Sequence, residues 1–346
     1  MLKLYTNTQF LSETHRREVF PLLFDMHFKQ NELLLKYYSL VDTIETCDIV
    51  VFPIDYSAFL KHREALNVLT KAAKNNNKPI WIYTAGDFGF TNYIANSYTF
   101  RLGGFHSKLT DKSFILPSFI NDPYLTQIPN GFSVIEKEEK PTIGFVGHAQ
   151  SGIQKWIKEK VSYYKIKVKR YLGELVADKQ PFYPSSIKRA FYLFLLASDK
   201  RLITNFILRN NYRAGVSQEI EKKKSTTEFY DNIFNTGYTF CSRGVGNFSV
   251  RFYETLAMGR IPILLNTDCR LPLDFIIDWN KHCIIIEENE VRNMPEIITK
   301  FHNSLSVDDF TAMQSNNRKL WETKLIRHNY FVVIHDTFIK KINANG

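Results

Sequence analysis

The sequence predicts an α/β protein built on parallel sheets in two domains, and three observations carry that prediction. Short apolar runs alternate with longer segments of helical periodicity from Leu2 onward. Tyr238–Glu287 reads as strand, glycine-containing loop, helix and strand, a βαβ unit. The segment Gly131–Pro141 is polar and carries Glu136, Lys137, Glu138, Glu139 and Lys140, which is linker composition. At 346 residues the chain is long enough for two domains of ordinary size. The expected division is 1–138 and 139–326, with a last helix at 327–346.

Taken in order, Leu2–Tyr5 and Asp48–Pro53 are short parallel strands, and Pro21–Leu40 between them has helical spacing. Ser57–Asn76 is a second helix, ended by the polar run Asn75–Asn77, and Pro79–Thr84 is another strand. That strand delivers Ala85, Gly86, Asp87, Phe88 and Gly89 to the carboxyl edge of its sheet. Ser113–Leu116 is a further strand, closed by Pro117. Thr142–Gly147 begins the second domain and puts Gly147-His148 at a carboxyl edge. From Gln154 to Lys224 the chain reads as mainly helical and basic, with Ser186–Leu202 an apolar helix with basic flanks, suited to a core or to an interface. Ser225–Phe234 is a helix leading into Tyr238; Cys283–Glu287 is a strand; Glu290–Asn303 and Val307–Leu325 are helices, and so is Arg327–Ile342.

The βαβ unit is where chemistry concentrates. Tyr238–Cys241 is β-prone, and Ser242, Arg243, Gly244, Val245 and Gly246 form the loop. Asn247 or Ser249, both N-cap types, opens a helix with apolar Val250, Tyr253, Leu256 and Ala257, and Gly259 closes it before the buried strand Ile261–Leu265. The free N–H groups and dipole of such a helix start favour an anion. Arg243 in the loop and Arg251 in the first helical turn can face that anion, with Glu254 on the same helix face as Arg251. This is what a sugar nucleotide requires: positive charge for a diphosphate and an acceptor for ribose hydroxyls. The same spacing also suits an exposed Arg251–Glu254 ion pair, and such loops also bind dinucleotides or merely turn the chain.

The string RGVGNFSVRFYETLAMGRIPILL, followed by TDCRLPLDFIIDW, resembles the exostosin family of glycosyltransferases over about fifty residues. The resemblance implies a GT-B fold, two Rossmann-like domains facing across a cleft, with the nucleotide sugar on the C-terminal domain and the acceptor mainly on the other. It implies inverting transfer that requires no metal or other cofactor, from a nucleotide-sugar donor of the UDP type. By the same resemblance Arg243 and Arg251 meet the diphosphate, Glu254 meets the ribose, and helix 327–346 returns to the N-terminal domain. Gly244, Gly246, Asn247 and Ser249 line the donor site, and Thr204–Arg213 is similar to a stretch preceding the motif in bacterial members.

Without a metal, the leaving diphosphate needs help from guanidinium groups and helix amides, and the acceptor hydroxyl needs a base. Arg209 is a candidate third positive group, or a solvated helix-face arginine. Asp87 is the candidate base, in a loop that resembles the family's Gly-x-Asp region although Phe88 stands where the family often has His. A turn-capping role is the alternative for Asp87, and His106 and His148 are alternative bases. Asp268 follows Ile261–Leu265 and is a candidate sugar contact, whereas Leu271–Trp279 is expected to pack against the sheet with Asp278 capping backbone. The carboxylates around Asp274 and Asp278 lack an Asp-x-Asp pair and do not read as a metal site. Retaining GT-B enzymes of a large related class place a glutamate eight positions before the one equivalent to Glu254; here that position is Gly246, in keeping with inversion.

Hydrophobic content of 44% and charged content of 23% describe a globular chain, and no apolar run is long enough for a membrane span. Cys47, Cys241, Cys269 and Cys283 lack disulfide or metal spacing and read as reduced thiols. The start is too short and polar for a signal peptide, so the expected location is the cytoplasm or the inner face of a membrane. Family members in eukaryotes are anchored in the secretory pathway, and with no apolar anchor run this chain is expected to resemble the bacterial type. Net charge is +10, and Gln154–Arg213 holds fourteen Lys and Arg against four Asp and Glu, leaving 31 of each sign elsewhere. The whole excess is local. This stretch would steer an acidic glycan, a lipid-linked acceptor or an anionic membrane surface, or be a plain solvated face. Competing functions are a nucleic-acid binder using 154–213, where Trp156, Tyr163, Tyr164 and Tyr171 interleave with Lys, and a non-catalytic glycan-binding relative.

Overall fold

A computed structural model describes residues 1–129, 131–209 and 219–345, so the end of the Thr204–Arg213 stretch and part of the basic segment lie outside the described residues. The chain divides into two compact units. One comprises Met1–Phe119, Val176–Lys179 and Thr323–Gly346; the other comprises Ile120–Leu175 and Gln180–Glu322. Each is built on its own parallel sheet, so both Rossmann-like units that make up a GT-B fold are present.

The first unit contains β1 (Leu2–Tyr5), α1 (Pro21–His27), α2 (Glu32–Tyr37), β2 (Tyr38–Leu40), β3 (Ile49–Val51), α3 (Tyr56–Phe59), α4 (Arg63–Asn75), β4 (Ile80–Thr84), β5 (Ser97–Arg101) and β6 (Ser113–Ile115). All strands are parallel, in the order β2-β1-β3-β4-β5-β6. The helix expected over Pro21–Leu40 is in fact two helices and a strand. Gln30 at φ 45° breaks it, Asn31 accepts a hydrogen bond from the Leu34 amide at 3.1 Å to cap α2, and Tyr38–Leu40 pairs with β1. Likewise Ser57–Asn76 holds two helices, with Asp55 capping the first through the Ala58 amide. β5 escapes a search for apolar runs because Ser97, Thr99 and Arg101 are buried polar residues satisfied by side chains: Asn92 holds both hydroxyls, and Arg101 donates to Asp178 at 2.9 Å.

The second unit contains α5 (Pro123–Thr126), β7 (Thr142–His148), α6 (Ile153–Tyr171), α7 (Ser185–Ala197), β8 (Ile203–Arg209), α8 (Glu219–Phe234), β9 (Tyr238–Cys241), α9 (Val250–Ala257), β10 (Ile261–Asn266), β11 (Ile284–Glu287), α10 (Met294–Ser304) and α11 (Val307–Leu320). Its strands are parallel in the order β11-β10-β9-β7-β8. Tyr192, Leu193 and Leu196 of α7 pack with Met294 and Ile298 of α10 and with Ile143, Phe145 and Phe240 of the sheet. Ile233 of α8 and Met258 after α9 form a separate small cluster with Ile128. β8 corrects the mainly helical reading of 154–224: it pairs with β7 along its whole length, but its edge position leaves its apolar residues half exposed.

The division also falls earlier than the polar composition of 131–141 predicts. The described residues between 120 and 138 are tied to the second unit: Asp122 receives two bonds from Arg318 at 2.9 and 2.6 Å, the Tyr124 hydroxyl donates to the Met258 carbonyl at 2.9 Å, and Ile135 exchanges hydrogen bonds with Gln314. α12 (Arg327–Asn345) belongs to the first unit. There the Phe331 carbonyl accepts from the Tyr38 hydroxyl at 2.6 Å, Arg327 pairs with Asp25, and the Phe338 ring lies 4.7 Å from that of Trp81.

Candidate functional site

The strand order of the second unit fixes where a ligand fits. β7 and β9 are neighbours, yet the connection from β7 leads to β8 on one side and that from β9 leads to β10 on the other. The crevice outside their carboxyl ends is therefore a topological switch point, the usual ligand position in such sheets. Gly147 and His148 end β7, Ser242 and Arg243 follow β9, and α9 begins at Val250 with Ser249 as its N-cap. Ser249 makes no side-chain cap bond, and the first amides of a helix have no intrahelical acceptor.

α9 turns Tyr253, Leu256 and Ala257 into the core and carries Arg251 and Glu254 on another face. The Arg251 guanidinium lies over the Phe145 ring at 4.1 Å, and its Nη2 donates to the Val146 carbonyl at 2.7 Å. Glycine at 147 leaves room for this: a Cβ there would stand 2.8 Å from Arg251 Nη2 and press the guanidinium out of place. Arg251 Nε finds no acceptor among the described residues. Burial pulls the Arg251 pKa down, with Cys241 and Glu254 opposing and Arg209 adding to the fall. Burial pushes the Glu254 carboxyl up to about 7 against the pull of Arg251. The exposed ion pair that their spacing allows does not form: among the described residues Glu254 has neither an ion-pair nor a hydrogen-bond partner for its carboxylate. Two half-buried groups of opposite sign thus share one helix face without a direct ion pair.

Arg243 is 4% exposed, stacks over the Tyr183 ring at 4.6 Å and donates to the Val245 carbonyl at 2.8 Å and to Gln180 at 3.2 Å. Burial lowers its pKa, against Tyr183 and Glu288. Arg189 of α7, not among the residues expected at the site, ties the crevice together. It donates to the His148 carbonyl at 2.7 Å, the Ser242 hydroxyl at 3.1 Å and the Arg243 carbonyl at 3.0 Å. Gly244 has open space around it, and Gly246 is buried in the loop. Asn247 is spent on structure: its amide donates to the Thr267 and Asp268 carbonyls at 2.9 and 3.0 Å and accepts from the Thr267 hydroxyl at 2.6 Å. It thereby pins the loop to the segment after β10, where Asp268 adopts φ 61°. Asp278 caps the Asn280 amide at 3.3 Å and the Trp279 indole donates to the Pro272 carbonyl at 3.1 Å, so Leu271–Trp279 is packing, as expected.

The remaining candidates are engaged elsewhere or belong to the first unit. Arg209 ends β8, and its guanidinium is taken by Ser225 and Glu228 of α8, so its charge reaches Arg251 only at a distance. His148 directs Nδ1 to the Arg209 carbonyl at 3.0 Å, and burial lowers its pKa. Asp87 and His106 belong to the first unit; Asp87 is exposed just beyond β4, and His106 is exposed in a short turn. The β4 loop is held instead by Asp55, which accepts from the Ala85 amide at 2.6 Å. Among the described residues no cluster of three His, Cys, Asp or Glu is placed to hold a metal, and no helix is long and apolar enough to cross a membrane. All four cysteines are free thiols.

Comparison with known proteins covers the same part of the chain. Residues 183–301, from Tyr183 beneath Arg243 to the middle of α10, match the Exostosin GT47 domain, and the chain is exostosin-like in that region. It is 24% identical over 188 residues to Exostosin-1 of Mus musculus, covering 52% of this chain and 24% of that protein. It is 31% identical over 117 residues to the Exostosin-1 homolog of Caenorhabditis elegans, covering 34% and 26% respectively. The chain thus spans about a quarter of the length of these relatives. Among solved structures, a glycosyltransferase from Rickettsia africae ESF-5 aligns over 98% of both chains with 12% identity and a TM-score of 0.40.

Proposed function

We propose that this chain is a glycosyltransferase that takes a sugar from a nucleotide diphosphate donor, of the UDP type, and passes it to a glycan or lipid-linked glycan. One observation carries the reading: at the switch point of a parallel sheet, α9 holds the half-buried Glu254 carboxylate with no donor among the described residues, one turn from the half-buried Arg251, whose Nε has no acceptor among them. A half-buried carboxylate without donors and a guanidinium with an idle N–H are costly unless a ligand completes them. A ribose supplies hydroxyl donors to the first, and a diphosphate supplies acceptors to the second. Arg243, the loop amides of residues 244–249 and the start of α9 would share the diphosphate charge, with Asp268 near the sugar and Arg209 a distant electrostatic contributor. These groups would serve the leaving diphosphate in place of a metal, and the reaction would invert the anomeric centre. The acceptor proton is assigned to Asp87 of the first unit.

The test is a thermal-shift titration with UDP in the presence of a chelator, on wild type, Glu254→Gln and Arg251→Met. Wild type should rise in melting temperature, and both variants should rise clearly less at the same UDP concentration. Arg251→Met should also fold, because an apolar side chain over Phe145 replaces a buried charge. Turnover with a panel of nucleotide sugars should then fall at least a hundredfold in Asp87→Asn with the UDP shift retained. Failure of wild type to bind UDP or any other nucleoside diphosphate would sink the proposal.

A further inference from the structure

The 19-residue helix α6 makes no use of the glycosyl-transfer reading, and among its described residues none is fully buried. Its inner face is half-buried at Lys155, Glu159, Tyr163, Ile166 and Arg170. That face is anchored by the Tyr163 and Trp156 rings, 5.4 and 6.1 Å from Phe182, and by Glu159, which accepts from the Ser186 amide at 3.3 Å. On the outside Ile153, Ile157, Val161, Tyr164, Val168 and Tyr171 recur every three or four positions and are between 48% and 90% exposed. At helical spacing Lys158, Lys165 and Lys169 border one edge of this stripe, and Lys160 and Lys167 the other.

An apolar stripe left in water along five turns is unfavourable and marks a contact surface. The charge pattern selects the partner. α6 carries seven Lys and Arg and a single acid, Glu159, which faces inward. A second copy packed stripe to stripe would set lysines against lysines on both flanks. Nucleic acid would meet the lysines and could stack on Tyr164 and Tyr171, but it would leave Ile153, Ile157, Val161 and Val168 in water. An anionic bilayer satisfies both features: the stripe enters the acyl boundary while the long lysine stems spread to the headgroups. We propose that α6 is an interfacial helix that docks the protein on an anionic membrane surface. The inference does not rest on the transfer reading, and its failure would leave that reading untouched.

The experiment is co-sedimentation of the full chain with phosphatidylcholine vesicles, with and without phosphatidylglycerol. Binding is expected only to the anionic vesicles and should weaken with salt. Each of Lys158→Gln, Lys165→Gln and Lys169→Gln should lower partition about fivefold, the equivalent of ~1 kcal/mol per basic residue near the surface. The double substitution Ile157→Glu, Val161→Glu should abolish it while leaving the melting temperature and any UDP shift in place, because both positions are exposed. Tryptophan fluorescence gives a readout independent of variants. Trp81, Trp279 and Trp321 are buried and Trp156 on α6 is 39% exposed, so brominated anionic lipid should quench the Trp156 component. Three outcomes would overturn the inference: equal sedimentation of the double variant and wild type; no quenching by brominated lipid; or a vesicle-free dimer or an oligonucleotide complex that the same substitutions abolish while vesicles remain unbound.

Discussion

At the scale of residues, the site turns on Glu254, whose carboxyl is raised from 4.5 to about 7 by burial. A carboxyl raised in the folded state stabilises the fold fully below its unfolded pKa and loses that contribution as pH climbs through the folded value. The relevant window is therefore pH 4.5 to about 7, and the amount at stake is on the order of 3 kcal/mol. Glu254→Gln keeps the shape and removes the titration. Its stability relative to wild type should rise across that window, measured by urea unfolding at intervals of pH. Donor binding should carry the opposite dependence. Ribose hydroxyls favour the ionised carboxylate, so UDP affinity should strengthen above pH 7 in wild type relative to Glu254→Gln, and the comparison cancels the titration of UDP itself. A flat difference between the two proteins would remove Glu254 from the nucleotide site.

At the scale of elements, two glycines decide how α9 meets its surroundings. Gly147 leaves room for Arg251 Nη2, and Gly147→Ala would press on the mobile end of a side chain, so stability should fall by about 1 kcal/mol or less while UDP affinity drops at least fivefold. Gly259 sits at φ 65° after the helix, with the Phe132 ring 2.3 Å from any added Cβ and the Gln314 carbonyl at 3.1 Å. Gly259→Ala should therefore cost roughly 2–3 kcal/mol by chemical denaturation, with UDP affinity of the folded protein unchanged. The β9–α9–β10 unit was legible in the sequence because periodicity, cap residues and Gly259 all lie within a few positions of what they control. Other features were not, because they are set by partners far away in the chain. Arg189 acquires its place from acceptors 41 to 54 positions distant, and Arg318 fixes Asp122 across 196 positions. β5 and β8 were missed for a related reason: one buries polar residues that a side-chain network satisfies, and the other is an edge strand with exposed apolar positions.

For the whole molecule, what matters is that each unit has a sheet and core of its own. In the first, Trp81 and Phe100 are covered by Phe331 and Phe338 of α12; in the second, Phe145 and Phe240 are covered by α7 and α10. Separate cores favour separate unfolding transitions, so the chain should depart from two-state behaviour. A nucleotide held by Arg243, Arg251 and Glu254 is bound through residues of the second unit and so should stabilise that transition, by about 2.7 kcal/mol when UDP is a hundredfold above its Kd. Hydrogen exchange read by peptide separates the possibilities. With UDP, protection should rise in β7, β9 and α9, while β1, β3 and α12 stay at their free-protein rates. Arg318→Leu supplies the internal control: losing its bonds to Asp122 and the Ala257 carbonyl should lower the protection of residues 120–129 and α9 together, since Asp122 and Tyr124 hold that segment against the end of α9. Protection that rose instead across β1 and β3 alone would move the nucleotide to the first unit, and with it the assignment of Arg251 and Glu254.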